Sequence, residues 1–369
     1  MKNVAVFFGG KSVEHDVSLI TGAITLNTLD KEKYNPVPVY VDKSGVWYTG
    51  EQLFDVDSFK NLNKKKLKRV GLTGGENILY QIDGKRNKKL FTIAAAINCM
   101  HGERGEDGSL CGVLKMNDIP LASPPLAASS VCMEKSFTKL FLKGIGVNAL
   151  PCAIVWDLFK WKDAKEEIGY PCIVKPDKLG SSVGVSTAEN DEQLERAVRY
   201  ALSFGEKAII ERKLENFIEI NCAAYMNERG EVVVSECERP IGRTEVLTFN
   251  DKYVGGERVF PADISKNVSD KIKRITKKIY LALGARGIIR IDYFLENGKV
   301  LVNEINTVPG SLAYYLFCDT LKEFKSVLNQ LIALSEKEHA KSTTFVKEYH
   351  SGILSACGTK GAKRLKKRE

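Results

Sequence analysis

Four polar side chains, Arg290, Asp292, Glu304 and Asn306, stand in pairs two residues apart on either side of Glu296-Asn297-Gly298. Ile, Val, Tyr and Phe surround them, so both flanks read as strands of one hairpin. A three-residue loop over 296–298, a type I turn with Gly298 at the φ > 0 position, pairs Leu295 with Lys299 and sets Arg290 opposite Glu304. Side chains alternate across a strand, so this register puts all four on one face. A two-residue Asn-Gly turn moves the pairing by one and sends Asp292 and Glu304 to opposite faces. Two carboxylates and an amide oxygen are hard donors of the kind Mg²⁺ takes, with phosphate oxygens and water filling the remaining positions. The same spacing also fits a solvated face of an ordinary hairpin, so a nucleotide site elsewhere has to decide between the two.

For phosphate binding the chain holds one false lead and one candidate. Gly10-Lys11-Ser12 resembles the end of a Walker A loop, but that motif's first glycine falls on Ala5, inside a strand. Ile173-Val-Lys-Pro176 followed by Gly180-Ser-Ser-Val-Gly184 is better. A strand fixes Lys175, and a small-residue loop brings backbone N–H groups and the Ser181 and Ser182 hydroxyls toward phosphate oxygens. Lys135 on a helix offers a second cation. Glu211 closes a strand whose backbone can meet an adenine edge, and Glu219, eight residues on, can hold ribose hydroxyls.

These residues need elements to hold them. A chain of 369 residues suggests two or three domains, and 44% hydrophobic with 27% charged residues belongs to a soluble globular protein. No apolar run approaches the ~20 residues that span a bilayer. The N-terminal MKNVAVFFGG reads as a first strand rather than a signal peptide. Nine cysteines without a Cys-x-x-Cys pair fit a reducing, cytoplasmic setting and argue against a disulfide scaffold or zinc site. Much of the net charge of +9 lies in runs at 64–69, 85–89 and 360–368, none interleaved with aromatic residues. Such runs are solvated loops and tails, so no nucleic-acid partner is expected.

Strand and helix alternate over the first ~125 residues: strands at 3–8, 36–41 and 91–98, and a helix at 17–29. That pattern implies an α/β domain with a parallel sheet and ligands at the strands' carboxyl ends, where Gly9-Gly10 and His101-Gly102 fall. The Pro-rich stretch 119–125 reads as a linker, followed by one helix over 130–144. Strands at 152–155, 170–176 and 208–213 surround a helix at 191–204, and strands at 218–226 and 231–237 come next. The loop 240–262 is long enough to be a lid. Ser269 is expected to cap a helix carrying Ile272, Ile275, Ile279 and Leu283 on one face, with Gly284 as its stop.

Taken together, the motifs resemble ATP-grasp enzymes and, within them, the D-alanine–D-alanine ligase family. Phe8-Gly-Gly-Lys-Ser-Val-Glu14-His-Asp-Val-Ser18 is similar to that family's first-substrate loop, and His101-Gly-Glu-Arg-Gly-Glu-Asp-Gly108 to its HG-x-x-GEDG. The segment from Ile173 to Gly184 resembles its triphosphate loop. Arg290-Ile-Asp292 and Asn303-Glu-Ile-Asn306 resemble its metal strands, and Asn306-Thr-Val-Pro-Gly310 the segment after them. The matches keep family order from residue 4 to about 317.

The resemblance implies an N-terminal Rossmann-like domain over 1–125 and a two-lobed ATP-grasp domain, with a small lobe at 130–213 and a large lobe at 214–340. A basic tail at 341–369 has no counterpart. It implies ATP, two Mg²⁺ (Mn²⁺ as a substitute), D-alanine as substrate, a homodimer, and a role in peptidoglycan precursor synthesis. Glu14 would hold the first D-amino acid's ammonium, with His101 lining the substrate site. Lys135, Lys175, Ser182 and Lys252 would meet phosphates, Glu211 and Leu214 would flank adenine, and Glu219 would bind ribose. Asp292, Glu304 and Asn306 would hold metal. Arg290 and the Gly310 N–H would stabilise an oxyanion, and Tyr253 with Ser181 and Glu14 would close the site. In one place the chain departs from the family. Tyr315, before Leu316, stands where a serine usually receives the second substrate's carboxylate, so D-Ser, D-lactate or another amino acid remains an alternative acceptor to D-Ala. An ATP-grasp protein that binds without catalysis is the reading from another class, and no expected ligand is replaced by an apolar residue in its favour.

Overall fold

The computed structural model describes residues 1–84, 86–180, 183–241 and 257–351. Elements follow in the order β1 (Lys2–Gly9), α1 (His15–Thr28), β2 (Tyr34–Val41), β3 (Trp47–Thr49), β4 (Lys68–Leu72), β5 (Ile78–Ile82), β6 (Asn87–Asn98) and α2 (Ser109–Met116). β1 pairs in parallel with β2 on one side and β6 on the other. From Val4 to Gly9 it is buried without a break, as a strand covered on both faces must be. The Lys-rich stretch between β2 and β6 is more ordered than its composition suggests. β3, β4 and β5 run antiparallel there and close the sheet into a six-stranded barrel, so the expected parallel sheet is a parallel trio within a mixed barrel.

The expected linker over 119–125 is instead held in place. Leu121 bridges Ala96 in parallel, and the Ser123 hydroxyl accepts the Asn98 N–H at 2.9 Å. The single helix expected over 130–144 is two, α3 (Leu126–Met133) and α4 (Lys135–Gly144), because Glu134 takes an extended backbone between them. Asp177 supplies the reason. Its carboxylate accepts the Ser136 N–H at 2.7 Å and the Ser136 hydroxyl at 2.8 Å, while its carbonyl takes the Lys135 N–H at 3.0 Å. A new helix start is thereby capped from outside its own sequence.

β7 (Cys152–Val155), α5 (Trp161–Ile168), β8 (Cys172–Pro176), β9 (Ser186–Ala188), α6 (Asp191–Leu202) and β10 (Ala208–Arg212) form a sheet of order β7-β10-β8-β9. α5 and α6 cover one face through Trp161, Leu194 and Val198. Next come β11 (Phe217–Met226), β12 (Val232–Val234), β13 (Arg239–Ile241), β14 (Glu257–Val259), α7 (Lys266–Ala282), β15 (Ile288–Glu296), β16 (Lys299–Asn306) and α8 (Leu321–Thr343). The second sheet has the order β12-β11-β15-β16, with Ile272 and Ile279 of α7 buried against it. α7 begins after Ser265, one turn before the expected Ser269, and the Ser265 side chain makes no capping bond. β13 and β14 pair as the stem of the long loop, whose residues 242–256 lie outside the described ones.

The last helix returns to the beginning of the chain. Phe324, Leu328 and Ile332 of α8 share a core with Val4, Val6 and Phe8 of β1. Between them, α1 lies close on β1 because Gly22 has no side chain: a Cβ there would stand 2.3 Å from Cγ of the fully buried Phe8. Gly22→Ala should therefore destabilise by about 1–3 kcal/mol, although alanine's helix propensity alone would gain about 1. Urea unfolding checks this, and an unchanged or raised midpoint would mean that α1 has room to move away from β1.

Candidate active site

The acidic hairpin reaches its register by a route different from the expected one. Asn297 and Gly298 both have positive φ, 49° and 76°, and Glu296 pairs with Lys299, so the turn has two residues and not three. Alone, that would separate Asp292 from Glu304. The register shifts once, however, between Tyr293, which faces Val302, and Asp292, which faces Glu304. Asn303 is the extra residue of a β-bulge, and it returns Asp292 and Glu304 to one face. Arg290 consequently stands opposite Asn306, not Glu304 as expected.

Around Asp292 the contacts are close. Arg290 donates from Nε to Oδ1 at 2.7 Å and from Nη2 to Oδ2 at 2.9 Å, and Asn306 Nδ2 donates to Oδ2 at 3.0 Å. Arg290 Nη1 also donates to the Tyr315 hydroxyl at 3.4 Å. Among the described residues no three His, Cys, Asp or Glu side chains form a metal-holding cluster. A divalent ion here would rest on two carboxylates, an amide and ligands from elsewhere, which is the donor set that suits Mg²⁺ with phosphates.

The cations come from α4 and from β8. Lys135, at the first position of α4, donates from Nζ to the Leu179 carbonyl. Burial lowers its pKa, Glu304 opposes that, and Lys175 adds to it. Lys175 goes the other way: burial alone would lower its pKa, but Glu211 at 2.7 Å raises it. Glu211 is 2% exposed and is gripped from the far side by Lys139, which also donates to the Leu150 carbonyl at 2.8 Å. Burial favours the neutral acid at Glu211, yet Lys175 and Lys139 together hold its pKa down at about 2. Its side chain is thus committed to the two lysines, leaving only its backbone for the expected contact with adenine. Lys139 belongs to no motif and gave no signal of its own, although it lies one helical turn after Lys135, where side chains meet.

Leu214 packs with Leu150, Phe217, Phe294 and Leu301, and Glu219 is half-buried on β11 opposite Phe294. Ser181, Ser182, Lys252 and Tyr253 lie outside the described residues, as does the tail beyond residue 351.

The third side belongs to the N-terminal domain. Glu14 precedes α1 and is 7% exposed. A Cβ on Gly102 or Gly180 would come within 3.0 and 3.1 Å of its carboxylate oxygens, so Glu14 is seated between the His101-Gly102 loop and the Gly180 loop. Glu106, which spacing alone did not single out, accepts the N–H groups of Gly102 at 2.8 Å and Val308 at 3.0 Å. Burial, then Glu14 and Glu304, push its carboxyl up to about 8. The local field therefore favours added positive charge. His101 is buried with Nε2 2.9 Å from Thr21 Oγ1. Burial first and Arg290 second lower its pKa to about 4, so the ring is neutral at physiological pH.

One cleft gathers Glu14, Lys135, Gly180, Arg290, Glu304 and Asn306 from segments far apart in sequence. Gly310–Leu316 coils beside it, with Leu316 buried and Tyr315 half-buried. The Tyr315 ring lies 4.9 Å from the Arg258 guanidinium, which also donates to Glu238 at 3.1 Å. Neither Arg258 nor Glu238 carried a signal in the sequence, because their contact spans the long loop.

Comparison with known proteins points to one family. The family model for the D-ala D-ala ligase N-terminus matches residues 3–124, and that for the D-ala D-ala ligase C-terminus matches 143–333. A D-alanine–D-alanine ligase of Thermosipho melanesiensis is 35% identical over 343 residues, covering 90% of this chain and 93% of the relative. Among solved structures, the D-alanine–D-alanine ligase from Coxiella burnetii superposes with a TM-score of 0.80 at 25% identity, over 93% of this chain and 96% of that one. The VanG D-Ala:D-Ser ligase from Enterococcus faecalis gives 0.78 at 25%, over 90% and 99%.

The lysine clamp makes a pH prediction. The pKa of Glu211 is depressed from an ordinary value of 4.5 to about 2. Its charged form therefore contributes stability, on the order of 3 kcal/mol, above pH ~4.5, and this is lost as pH falls toward ~2. Lys139→Met should destabilise the protein at pH 7 by about 2 kcal/mol and, because the folded-state pKa of Glu211 then lies closer to 4.5, should lose less further stability than the wild type as pH falls from ~4.5 toward ~2. Denaturant midpoints across pH test this, and superimposable curves for the two proteins would show that Lys139 does not hold Glu211 charged.

Proposed function

We propose that this chain, which belongs to the D-alanine–D-alanine ligase family, joins two D-alanines in an ATP-dependent, ADP-forming reaction through D-alanyl phosphate. The carrying observation is the convergence of Glu14, Lys135, Arg290, Glu304 and Asn306 on one cleft. A carboxylate and an amine do not condense in water unaided. The carboxylate must first take the γ-phosphoryl group of ATP, and that transfer requires its spread negative charge to be neutralised. Glu14 suits the ammonium of the first D-alanine. Lys135 and Lys175, with Ser181, Ser182 and Lys252, contact the phosphates, while Glu211's backbone, Leu214 and Glu219 receive adenosine. Asp292, Glu304 and Asn306 fit two Mg²⁺ ions, or Mn²⁺, which when bound supply positive charge at the transferred group.

The second amine's attack on the acyl phosphate builds an oxyanion, for which Arg290 and the Gly310 N–H are the donors. Tyr253, with Ser181 and Glu14, closes the site and keeps water from the acyl phosphate. The product would serve peptidoglycan precursor synthesis in the cytoplasm, made by a homodimer. Among the described residues no helix is long and apolar enough to cross a membrane.

Tyr315 favours a second reading at the acceptor site alone. Its ring carries more bulk than a serine, while its hydroxyl, already at Arg290, can still meet a carboxylate. D-Ala is the acceptor in the first reading; D-Ser, D-lactate or another amino acid is the acceptor in the second.

Mass spectrometry of products from ATP, Mg²⁺ and a panel of D-amino and D-hydroxy acids tests both, with D-alanyl-D-alanine and equimolar ADP expected. Asp292→Asn and Glu304→Gln should each lower kcat at least about a hundredfold, since each removes a negative charge that would hold the cation neutralising the transferred group. Turnover within a few-fold of wild type would exclude them as metal ligands. Tyr315→Ser should alter acceptor preference and leave donor activation intact; an identical acceptor profile would place Tyr315 outside the pocket.

A further inference from the structure

We infer that Thr21 is a positioning residue for the acceptor half of the reaction, holding the Ser311 N–H and so fixing the backbone between Gly310 and Tyr315. The inference rests on the ligase reading above and extends it to a residue in a different domain from the segment it holds.

Thr21 is fully buried in α1, two turns beyond Glu14. A helical threonine ordinarily turns its hydroxyl back to the carbonyl four residues earlier, and Thr21 Oγ1 does lie 3.2 Å from the Val17 carbonyl. It also accepts the Ser311 N–H at 3.0 Å and lies 2.9 Å from His101 Nε2. A hydroxyl has one proton and two lone pairs. With Ser311 in one lone pair, a neutral imidazole can complete the set in either tautomer.

The partner segment needs such a hold. Ser311, Leu312 and Ala313 all lie in the left-handed region, with φ of 52°, 50° and 48°. Residues with a Cβ enter it at a cost, and a run of three persists only where surrounding contacts over-determine it. Leu312 and Ala313 are buried, which anchors their side chains. The Ser311 backbone is anchored by Thr21. This run decides where two groups of the acceptor half stand: Gly310, the oxyanion donor, immediately before it, and Tyr315, whose hydroxyl meets Arg290, just after. Donor binding is built differently, from Glu14 between Gly102 and Gly180. Loss of the Thr21 hydroxyl should therefore separate the two half-reactions.

The experiment compares wild type, Thr21→Val, Thr21→Ser and Thr21→Ala. Donor activation is read as D-alanyl hydroxamate when hydroxylamine traps the acyl phosphate, and acceptor use as the KM for the second D-alanine. Thr21→Val, isosteric but without the hydroxyl, should raise the acceptor KM about tenfold or more, as expected for one lost buried hydrogen bond. Hydroxamate formation and the KM for ATP should stay near wild type. Thr21→Ser should restore the acceptor KM. Thr21→Ala, which adds no new group, should show the same split as Thr21→Val and replaces it if valine prevents folding. Hydroxamate in every variant with an unchanged acceptor KM overturns this inference alone. So does a Thr21→Ser variant as impaired as Thr21→Val, or an equal loss of both half-reactions. No hydroxamate even from wild type overturns the ligase reading itself, and this inference with it.

Discussion

A two-residue turn cannot close a hairpin and also keep Asp292 and Glu304 on one face, unless one strand gains a residue. The bulge at Asn303 supplies it, and the rest of the cleft depends on that shift. With Asp292 on the inner face, Arg290 two residues earlier reaches it with two donors and extends a third to Tyr315. With Glu304 on the same face, Lys135 of α4 and Lys175 of β8 both feel its charge, as does Glu106 of the N-terminal domain. The favoured turn sets the twist of the two strands, and the bulge re-aims the side chains at their far end.

Charge is distributed so that each lobe is tense without the other. Lys135 and Lys175 are neighbours, yet their proton affinities move apart. Lys175 has Glu211 beside it, whereas Lys135 is left chiefly with burial, and Glu304 lies across the cleft. On the facing side, burial first and then Glu14 and Glu304 raise the pKa of Glu106, so that it tends to keep its proton. A nucleotide polyanion beside the lysines and a divalent cation beside the carboxylates would each relieve the strain on its own side.

Much of this was legible in the sequence, because strand and helix periodicity are local. β1, α1, β2, β8, β10, β11 and α7 fall near their expected places, and the pairs Arg290/Asp292 and Glu304/Asn306 announced the hairpin. What escaped has a common cause: the deciding partner lies far along the chain. The break at Glu134 is made by Asp177, forty residues on. The strands β3 to β5 are only three to five residues long and lie in a Lys-rich stretch, and they exist because closing the barrel satisfies the free edges of β2 and β6. The turn differs from expectation because Glu-Asn-Gly is compatible with two loop lengths, and only the bulge reconciles the shorter one with the chemistry. Glu106 sat in plain view within its motif, but its role depends on Val308, two hundred residues away.

Those long connections also explain why the N-terminal domain is part of the site and not an appendage. α1 presents Glu14 at its start and Thr21 two turns later, and the loop after β6 presents His101 and Glu106. Glu106 takes the Val308 N–H just before Gly310, and Thr21 takes the Ser311 N–H just after it. The backbone around the proposed oxyanion donor is therefore gripped on both sides by a domain that contributes no residue to the hairpin. A left-handed run of three side-chain-bearing residues would relax if either grip were lost. The closure of α8 onto β1 keeps the two parts in register, since the helix leaves the same segment after residue 316 and buries Phe324 and Leu328 in the N-terminal core. The segment between the hairpin and α8 is tied at each end to the N-terminal domain, so the proposed donor and acceptor positions belong to one continuous packing unit.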